Sequence, residues 1–559
     1  MAVNILSPQS LWANFVIEEI SAEVISEKKV REIIHTKLII NGKKTADGQV
    51  RISAYMAKPN GAQSKSAVIL TNKSKLSFDD KVVLDFAKSG FTVIAVDLTG
   101  KCEGKEDYTV YPESLHYANY ENAKEKVVSA TGDIYESCWY EWSVSLRYVI
   151  EYLKSIGIEK IGAVGVGNSA TAVWHAISIT EDINCAVMVG NAGWRVYKNI
   201  DKFSDEVDPT FTDEELQVLA GIEPQSYAKL VKCPVLMLSS TNSFIYDGDR
   251  AFDTVERISD ELYTAINYSI NFVEGVDYQS YQDMKIFLRE HLLEKKASYL
   301  PTSPDITVEI KNGKMEIEVT PSEKKGKNPI KPTSVYLYAS EGEQKSYLRC
   351  WQKLEGEPVK NKWIFNYLPY SKSKIATFVA KCEYENGYTV SSKIIAKKFE
   401  ETEVLGSNKS SIMYSARVEN LESVFTGESN ELFDIENKGR VIVKNGPMEI
   451  SGIRAEFGLL TFKVNAEKDR PKEDAILMFD VFAKQDLEFS VSIFADYFGD
   501  KKEFVAKFSV VGGKVWHNIR LDISRFKTAE GRILKNYESV NAVKFYGEGV
   551  YLINNVLWV

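Results

Sequence analysis

The sequence has few of the residues on which metal sites and disulfide frameworks depend. Its 559 residues include five histidines, six cysteines and 15 prolines, and no two cysteines form a C-x-x-C pair. No two histidines stand at metal-ligand spacing, so we expect no metal and no other cofactor. The cysteines are scattered and mostly lie in apolar surroundings, which favours free, reduced thiols.

An excess of positive charge and long apolar runs are also missing. The chain has 69 Lys and Arg against 78 Asp and Glu, a net charge of -9, with no strongly basic block. We therefore expect no binding to nucleic acid or to an anionic membrane. The first 20 residues have no basic and apolar leader pattern, and no apolar stretch has the length of a membrane span, so we expect a cytoplasmic protein.

What the chain does have is a length too great for one hydrophobic core, and a change of pattern along it. Residues 1–297 alternate short apolar strands with amphipathic helices, which predicts an α/β domain with a mainly parallel sheet and helices on both faces. Beyond a Pro-containing segment at 297–305, taken as a linker crossed by few contacts, only strand patterns remain. We predict two all-β sandwiches, an Ig- or fibronectin-like one over 303–402 and a jelly roll over 405–559.

The strand pattern can be placed along the chain. Asn-Gly pairs at 312–313 and 386–387 predict the tips of two hairpins in the second region. In the α/β region we predict strands at 30–40, 50–56, 67–71, 91–96, 160–165, 185–189, 234–238 and 269–273.

The most informative local sequence is the run from Gly165 to Ser169, which follows an apolar strand and opens a helix. Strand, sharp turn and helix in this order are typical of a nucleophile elbow. Gly167 stands at the centre, where a serine, cysteine or aspartate would attack. We therefore predict the strained turn, with an unusual φ at Gly167, without its nucleophile.

Two other interpretations of the same run stay open. G-x-G-x-x-A between a strand and a helix also matches a dinucleotide-binding fingerprint, although Val189-Gly190-Asn191 replaces the acid expected after the next strand. A tight turn that simply needs small residues is the third interpretation.

Residues 10–297 resemble α/β-hydrolases of the acetyl xylan esterase and dienelactone hydrolase kind. The segments that carry the resemblance are the elbow and residues 90–97, 99–100, 103–104 and 234–243. The resemblance implies a nucleophile at Gly167, an acid at Ser243 and a histidine within 273–283. None of the three places has the expected side chain, so we expect a degenerate triad and absent or very weak serine-esterase activity.

Substitute residues and a ligand pocket can still be proposed. Ser169 is the alternative nucleophile, with His116 or Asp277 as its partner. Ligands in open α/β sheets bind beyond the carboxyl ends of the strands, and polar and aromatic residues on those loops suit a carbohydrate or a small ester. The predicted pocket residues are Asn72, Lys73, Asn168, Asn191, Trp194, Asn242, Asp247, Asp249 and Tyr278. Asp247 and Asp249 have a second interpretation, as residues that begin a helix.

The last region shows a looser resemblance. Residues 515–526 and 551–558 are similar to the final strands of carbohydrate-binding jelly rolls of the galactose-binding type. A sandwich used only for packing or for subunit contact is the alternative. The sequence thus favours a non-catalytic ligand-binding or assembly protein. An ester hydrolase using Ser169 is the alternative function, and a structural protein that forms homo-oligomers is the third.

Overall fold

The structure is a computed structural model that describes residues 4–61, 64–72, 80–123, 133–197, 200–204, 209–293, 300–322, 330–428 and 431–559. The strands of the first region are β1 (Ser21–Val30), β2 (Ile33–Thr45), β3 (Gly48–Pro59), β4 (Ser66–Thr71), β5 (Thr92–Val96), β6 (Lys160–Val166), β7 (Cys185–Val189), β8 (Val235–Ser240) and β9 (Thr264–Ser269). The helices are α1 (Pro8–Trp12), α2 (Asp80–Lys88), α3 (Tyr120–Ala123), α4 (Cys138–Ser155), α5 (Ala170–Ile179), α6 (Asp213–Gly221), α7 (Pro224–Tyr227), α8 (Gly248–Val255) and α9 (Tyr278–Leu292). No helix in these ranges is long and apolar enough to cross a membrane.

The nine strands lie in the order β1-β2-β3-β5-β4-β6-β7-β8-β9. The first three pair antiparallel, β3 is antiparallel to β5, and every pair from β5 to β9 is parallel. Apart from β1, this order, with β5 between β3 and β4, is that of the α/β-hydrolase fold. Apolar clusters cover both faces of the sheet, because its central strands are apolar on both sides. The α/β-hydrolase fold of this region is therefore confirmed.

Two strands differ from the sequence predictions. β1 was not predicted, because all ten of its residues are exposed and its sequence shows no apolar alternation. The predicted strand at 269–273 is wrong: β9 ends at Ser269, and Asn271 has a φ of +59°. Residues 270–273 leave the sheet at its carboxyl edge and belong to the loop between β9 and α9.

The second region is all β, as predicted. Its strands are β10 (Asp305–Lys311), β11 (Lys314–Thr320), β12 (Pro332–Glu341), β13 (Gln352–Glu355), β14 (Glu357–Val359), β15 (Lys362–Tyr367), β16 (Ile375–Tyr384), β17 (Thr389–Ser391) and β18 (Ile395–Lys398). The hairpins at Asn312-Gly313 and at Asn386-Gly387 are both present. Four of these strands form a sheet of their own, β10-β11-β15-β14, whereas β17 pairs with β9 and extends the α/β sheet into this region.

The third region is also all β. Its strands are β19 (Ile412–Tyr414), β20 (Thr426–Gly427), β21 (Ile442–Asn445), β22 (Ser451–Arg454), β23 (Leu459–Thr461), β24 (Leu477–Ala483), β25 (Leu487–Ala495), β26 (Lys502–Val510), β27 (His517–Leu521), β28 (Val540–Gly547) and β29 (Tyr551–Trp558). They form one sheet in the order β21-β22-β29-β24-β27, with β19 beside β29, and another in the order β20-β23-β28-β25-β26. Residues from both sheets share one apolar core.

The contacts between the first two regions are more extensive than the sequence analysis predicts for two domains joined by a linker. Leu300, Ile306 and Tyr388 from the second side share an apolar cluster with Val276 and Tyr281 of the first. This difference has a physical reason: β17 continues the sheet beyond β9, so apolar side chains on one face of that sheet belong to both regions.

Candidate functional site

The elbow has the predicted geometry. β6 ends at Val166, a three-residue 3-10 turn covers Gly167–Ser169, and α5 begins at Ala170. The φ of Gly167 is +56°, as predicted for the centre of the turn. A Cβ on Gly165 would lie 2.7 Å from the Cα of Ala170, so only glycine allows this close approach of strand and helix.

Ser169 is fully buried beneath this turn. Its Oγ lies 2.6 Å from the hydroxyl of Thr71, 2.5 Å from the carbonyl oxygen of Asn72 and 2.8 Å from that of Val166. These contacts join the elbow to the end of β4. A buried hydroxyl surrounded by oxygen acceptors has its proton in a structural bond, and no described partner of Ser169 is a base.

The histidine nearest the elbow along the chain is His175, which lies on α5 and is fully buried. Its Nε2 is 2.8 Å from the carbonyl oxygen of Ile222, its Nδ1 is 2.9 Å from the hydroxyl of Ser143, and its ring stacks on Tyr227 at 4.0 Å. Because Nε2 must donate to the carbonyl, Nδ1 is left as the acceptor. Burial lowers the pKa of His175 to about 3, so the ring stays neutral in the core.

The two proposed partners of Ser169 have other contacts. His116 is exposed, and its Nδ1 lies 3.0 Å from the carbonyl oxygen of Glu113 on the same turn. Asp277 caps the N-terminus of α9, where its Oδ1 accepts a 2.7 Å bond from the amide of Ser280. Its other oxygen is 3.8 Å from the ammonium of Lys381.

The loop after β8 contains Asn242 and Ser243. Ser243 Oγ accepts a 3.1 Å bond from the amide of Tyr246, which shapes the turn before α8. Asn242 instead reaches the second region: its Nδ2 donates to the carbonyl oxygens of Arg349, at 2.5 Å, and of Tyr347, at 3.2 Å. The position implied for a catalytic acid is therefore next to a contact between regions.

Arg349 extends this contact with a buried charge. Its guanidinium donates to Asp249 Oδ1 at 2.5 Å, and neither side chain is more than 2% exposed. The remaining guanidinium nitrogens donate to the carbonyl oxygens of Glu343 and Gln344, within the same loop. Asp249 therefore neutralises a buried cation of the second region, a role that its sequence position alone did not indicate.

Asp247, two residues earlier, begins α8 as the alternative interpretation predicts. Its Oδ1 accepts from the amides of Asp249 and Arg250, and its Oδ2 is 2.5 Å from the Arg250 guanidinium. Burial and the nearby Asp249 charge raise the pKa of Asp247, against the attraction of Arg250.

The loop after β9 holds both β regions through Asn271, a residue that the sequence analysis missed. Its amide Nδ2 donates to the carbonyl oxygens of Trp351, at 2.8 Å, and Ser423, at 2.7 Å, and its Oδ1 accepts from the amide of Trp351 at 2.9 Å. Further along this loop, Val276 exchanges backbone bonds with residues 432 and 434 of the third region. The segment implied for a catalytic histidine is thus an inter-region contact.

The hydrogen bonds of three of the remaining predicted pocket residues are made within their own region. Asn191 Nδ2 donates to the carbonyl oxygen of Gly167 and to Thr171, and Trp194 Nε1 donates to Thr254. Asn168 Oδ1 lies 3.5 Å from the hydroxyl of Tyr246. Tyr278 is 37% exposed at the start of α9, and Lys73 lies outside the described residues.

Asn72 borders a cavity of 280 Å³ at the ends of β4 and β5. Its amide donates to Asp97 at 2.8 Å and to Thr99 at 3.0 Å, and the buried ammonium of Lys105 pairs with the same Asp97 carboxylate. His35 and Tyr55, which contact each other through Nδ1 and the phenol oxygen, lie on the same wall. Sequence analysis missed both because they lie on antiparallel strands, away from the loops where ligands of parallel sheets bind.

No protein-family model and no curated protein sequence matches this chain. Among similar solved structures are an acetyl xylan esterase from Paenibacillus sp. R4 (12% identity, 51% of this chain and 92% of that one, TM-score 0.38) and acetyl xylan esterase 1 from Thermoanaerobacterium sp. (16%, 50% and 89%, TM-score 0.36). A protein assigned as a dienelactone hydrolase, from Klebsiella pneumoniae, has 12% identity, coverage of 50% and 100%, and a TM-score of 0.29. The two kinds of hydrolase that the sequence resembles are thus among these structures, while the fold assignment here depends on the strand order of this chain.

Proposed function

We propose that this protein is a non-catalytic assembly and ligand-binding protein built on an α/β-hydrolase domain. The central elbow residue, Gly167, has no side chain, and the hydroxyl of Ser169 is buried among oxygen acceptors. An acyl-transfer site needs a nucleophile, a base and an orienting group within hydrogen-bond reach. The described contacts at the elbow supply none of the three.

The proposal rests mainly on the contacts that the loops after β8 and β9 make. The loops after β8 and β9, where an active relative would have its acid and histidine, bond to the second and third regions through Asn242 and Asn271, and the first turn of α8 does so through Asp249. The edge of the sheet therefore serves to fasten the β regions. This supports an assembly role over an ester hydrolase that uses Ser169.

The ligand-binding part of the proposal concerns the cavity beside Asn72, Asp97 and Lys105. Its amide, carboxylate and ammonium groups suit a carbohydrate or a small ester. The same proposal includes three domains, at 1–297, 303–402 and 405–559, of which the second is an Ig- or fibronectin-like sandwich and the third a jelly roll. It also includes homo-oligomer formation and a cytoplasmic location.

The test is covalent labelling of the full chain with a fluorophosphonate probe, together with pre-steady-state hydrolysis of an activated acetyl ester. We expect no labelling and no burst, since background hydrolysis by a binding surface forms no acyl-enzyme. Ser169→Ala should leave any slow hydrolysis unchanged. Labelling that maps to Ser169 and disappears in Ser169→Ala would make the hydrolase the better assignment.

A further inference from the structure

The strand β1 forms one outer edge of the large sheet, and all ten of its residues are exposed. Among the described residues, β1 pairs with β2 alone, and no other strand lies along its second side. Val24, Ile25 and Val30 are 59%, 47% and 47% exposed on it. The unpaired amides and carbonyls of an edge strand are a template for another strand. The edge is therefore a surface suited to strand addition.

A β-bulge divides β1 at its middle. Val24 lies opposite Leu38 of β2. Ser26 lies opposite the next residue of β2, Lys37, so Ile25 between them has no counterpart. One extra residue shifts the alternation of side chains, and of amide directions, by one position. Residues 21–24 and 26–30 therefore follow opposite alternations.

This shift brings the charges of Glu23 and Lys28 to one face of the sheet. Their partners on β2 are Ile39 and His35, which are four positions apart and so share a face. Without the bulge, two residues five positions apart on β1 would lie on opposite faces. Lys28 and His35 also line the 280 Å³ cavity beside Asn72, so the shared face is the one on which this cavity lies.

We propose that β1 pairs antiparallel with β1 of a second copy of this chain, around a two-fold axis between Ile25 and Ser26. The inference rests on the homo-oligomer formation included in the proposed function, and it names the surface responsible. In this register residue 21 lies opposite residue 30 of the second copy, 22 opposite 29, 23 opposite 28, 24 opposite 27, and 25 opposite 26. A two-fold interface uses the same surface on both copies.

The bulge selects this register. Because the axis lies at the bulge, each residue before it meets a residue after it, and the two opposite alternations then match. Opposite side chains lie on one face, and opposite amides point the same way relative to the gap between the strands. A shift by one position would put opposite side chains on different faces of the continued sheet.

The charges favour the same register. Glu23 lies opposite Lys28 twice, once on each side of the axis, whereas Glu27 and Lys29 lie opposite apolar residues. No like charges face each other directly. Lysines on an edge strand often discourage pairing, but here two Glu and two Lys give β1 a net charge of zero, although the whole chain has a net charge of -9.

Glu23 can make this contact without losing its own. Its Oε2 is 2.7 Å from the Arg51 guanidinium of the same chain, which leaves Oε1 to accept from Lys28 of the second copy. Since Ser26 and Lys28 form part of the cavity wall, the second copy would add a carboxylate beside that wall.

The test is the dimer dissociation constant of the full chain, measured by sedimentation equilibrium. We expect a value in the micromolar range, because one pair of strands is a small interface. Glu23→Lys and Lys28→Glu each place like charges opposite one another twice, and each should raise the dissociation constant about tenfold. The double variant Glu23→Lys/Lys28→Glu restores opposite charges and should return to within about twofold of the wild type.

Lys29→Glu is the matched control, an exposed lysine on the same strand that lies opposite an apolar residue, and it should change the dissociation constant less than about twofold. All these residues are exposed, so circular dichroism should show folded variants. A wild type that stays monomeric overturns the inference and contradicts homo-oligomer formation as well. A dimer that both single variants leave unchanged, or that the double variant does not restore, overturns the inference alone and places the homo-oligomer contact elsewhere.

Discussion

The carboxyl edge of the sheet has two halves, the elbow after β6 and the loops after β8 and β9, and different kinds of contact stabilise them. At the elbow, the turn depends on residues close in sequence and on one neighbouring strand: Gly165, Gly167 and the bonds of Ser169 to Thr71 and Asn72. At the loops after β8 and β9, the bonds to the β regions are made with residues 80 to 158 positions away in the chain. The first half keeps the elbow turn with a glycine, which has no side chain, at its centre, and the second has polar side chains in contacts between regions.

The largest loss of stability is expected from removing Arg349, the buried cation that pairs with Asp249. Arg349→Ala leaves Asp249 buried without its cation, which should lower the free energy of unfolding by about 3–5 kcal/mol. Urea unfolding of the full chain measures it. The matched control is Lys362→Ala, which removes an exposed ion pair with Glu318 in the same region and should cost less than about 1 kcal/mol. A loss in Arg349→Ala no larger than in this control would contradict the comparison.

The next effect concerns pH at the junction of β9 and β17. Asp283 is fully buried on α9 and accepts from Thr389 and Asn267 across the junction. Desolvation raises its pKa from 3.8 to about 7, against the hydrogen bonds from Thr389 and the charge of Lys381. The folded state therefore binds this proton more tightly than the unfolded state does.

The sign follows from proton linkage. The contribution of Asp283 to the free energy of unfolding is fully present below about pH 4 and is lost as the pH rises to about 7, by up to about 4 kcal/mol. Asp283→Asn should remove this slope between pH 4 and 7. Comparing the wild type with the variant at each pH cancels the contributions of other carboxyls, and parallel stability curves would show that Asp283 does not carry the proton.

A smaller loss of stability is expected from a steric clash introduced at the elbow. A Cβ at Gly165 would meet the Cα of Ala170 at 2.7 Å, and backbone cannot move aside cheaply, so Gly165→Ala should cost about 1–3 kcal/mol. Gly162→Ala, on the same strand, is the control, because its Cβ meets the ends of the Leu292 and Leu288 side chains, which can shift. Thermal unfolding should rank Gly165→Ala as the more destabilised variant.

The same contrast explains what could be predicted from sequence. The elbow, the parallel strands and the Asn-Gly hairpins were predictable, because periodicity and turn residues are local signals. The role of Asp249 was not, since its cation, Arg349, is 100 residues away. Nor was that of Asn271, placed in a strand whose true end is Ser269.

The apolar contact across 297–305 was likewise beyond a sequence argument. A Pro-containing segment is typical of a linker, and nothing local indicates that β17 will extend the sheet beside β9. Asp247 was the reverse case: a carboxylate directly before an amphipathic helix predicted a cap, and a cap is what it forms.

We expect the smallest effect from Gly167→Ser: its ester hydrolysis should not exceed that of the wild type. This substitution places a hydroxyl at the centre of the elbow, and a serine at a φ of +56° should cost about 1–2 kcal/mol of stability while the turn is retained. Ester hydrolysis should not rise, because Ser243 supplies no carboxylate and the loop before α9 supplies no histidine to activate the new hydroxyl. Fluorophosphonate labelling of the folded variant, read by mass spectrometry, decides the point. Labelling at position 167 would show that the edge still holds a base, and the two halves would then form one latent active site.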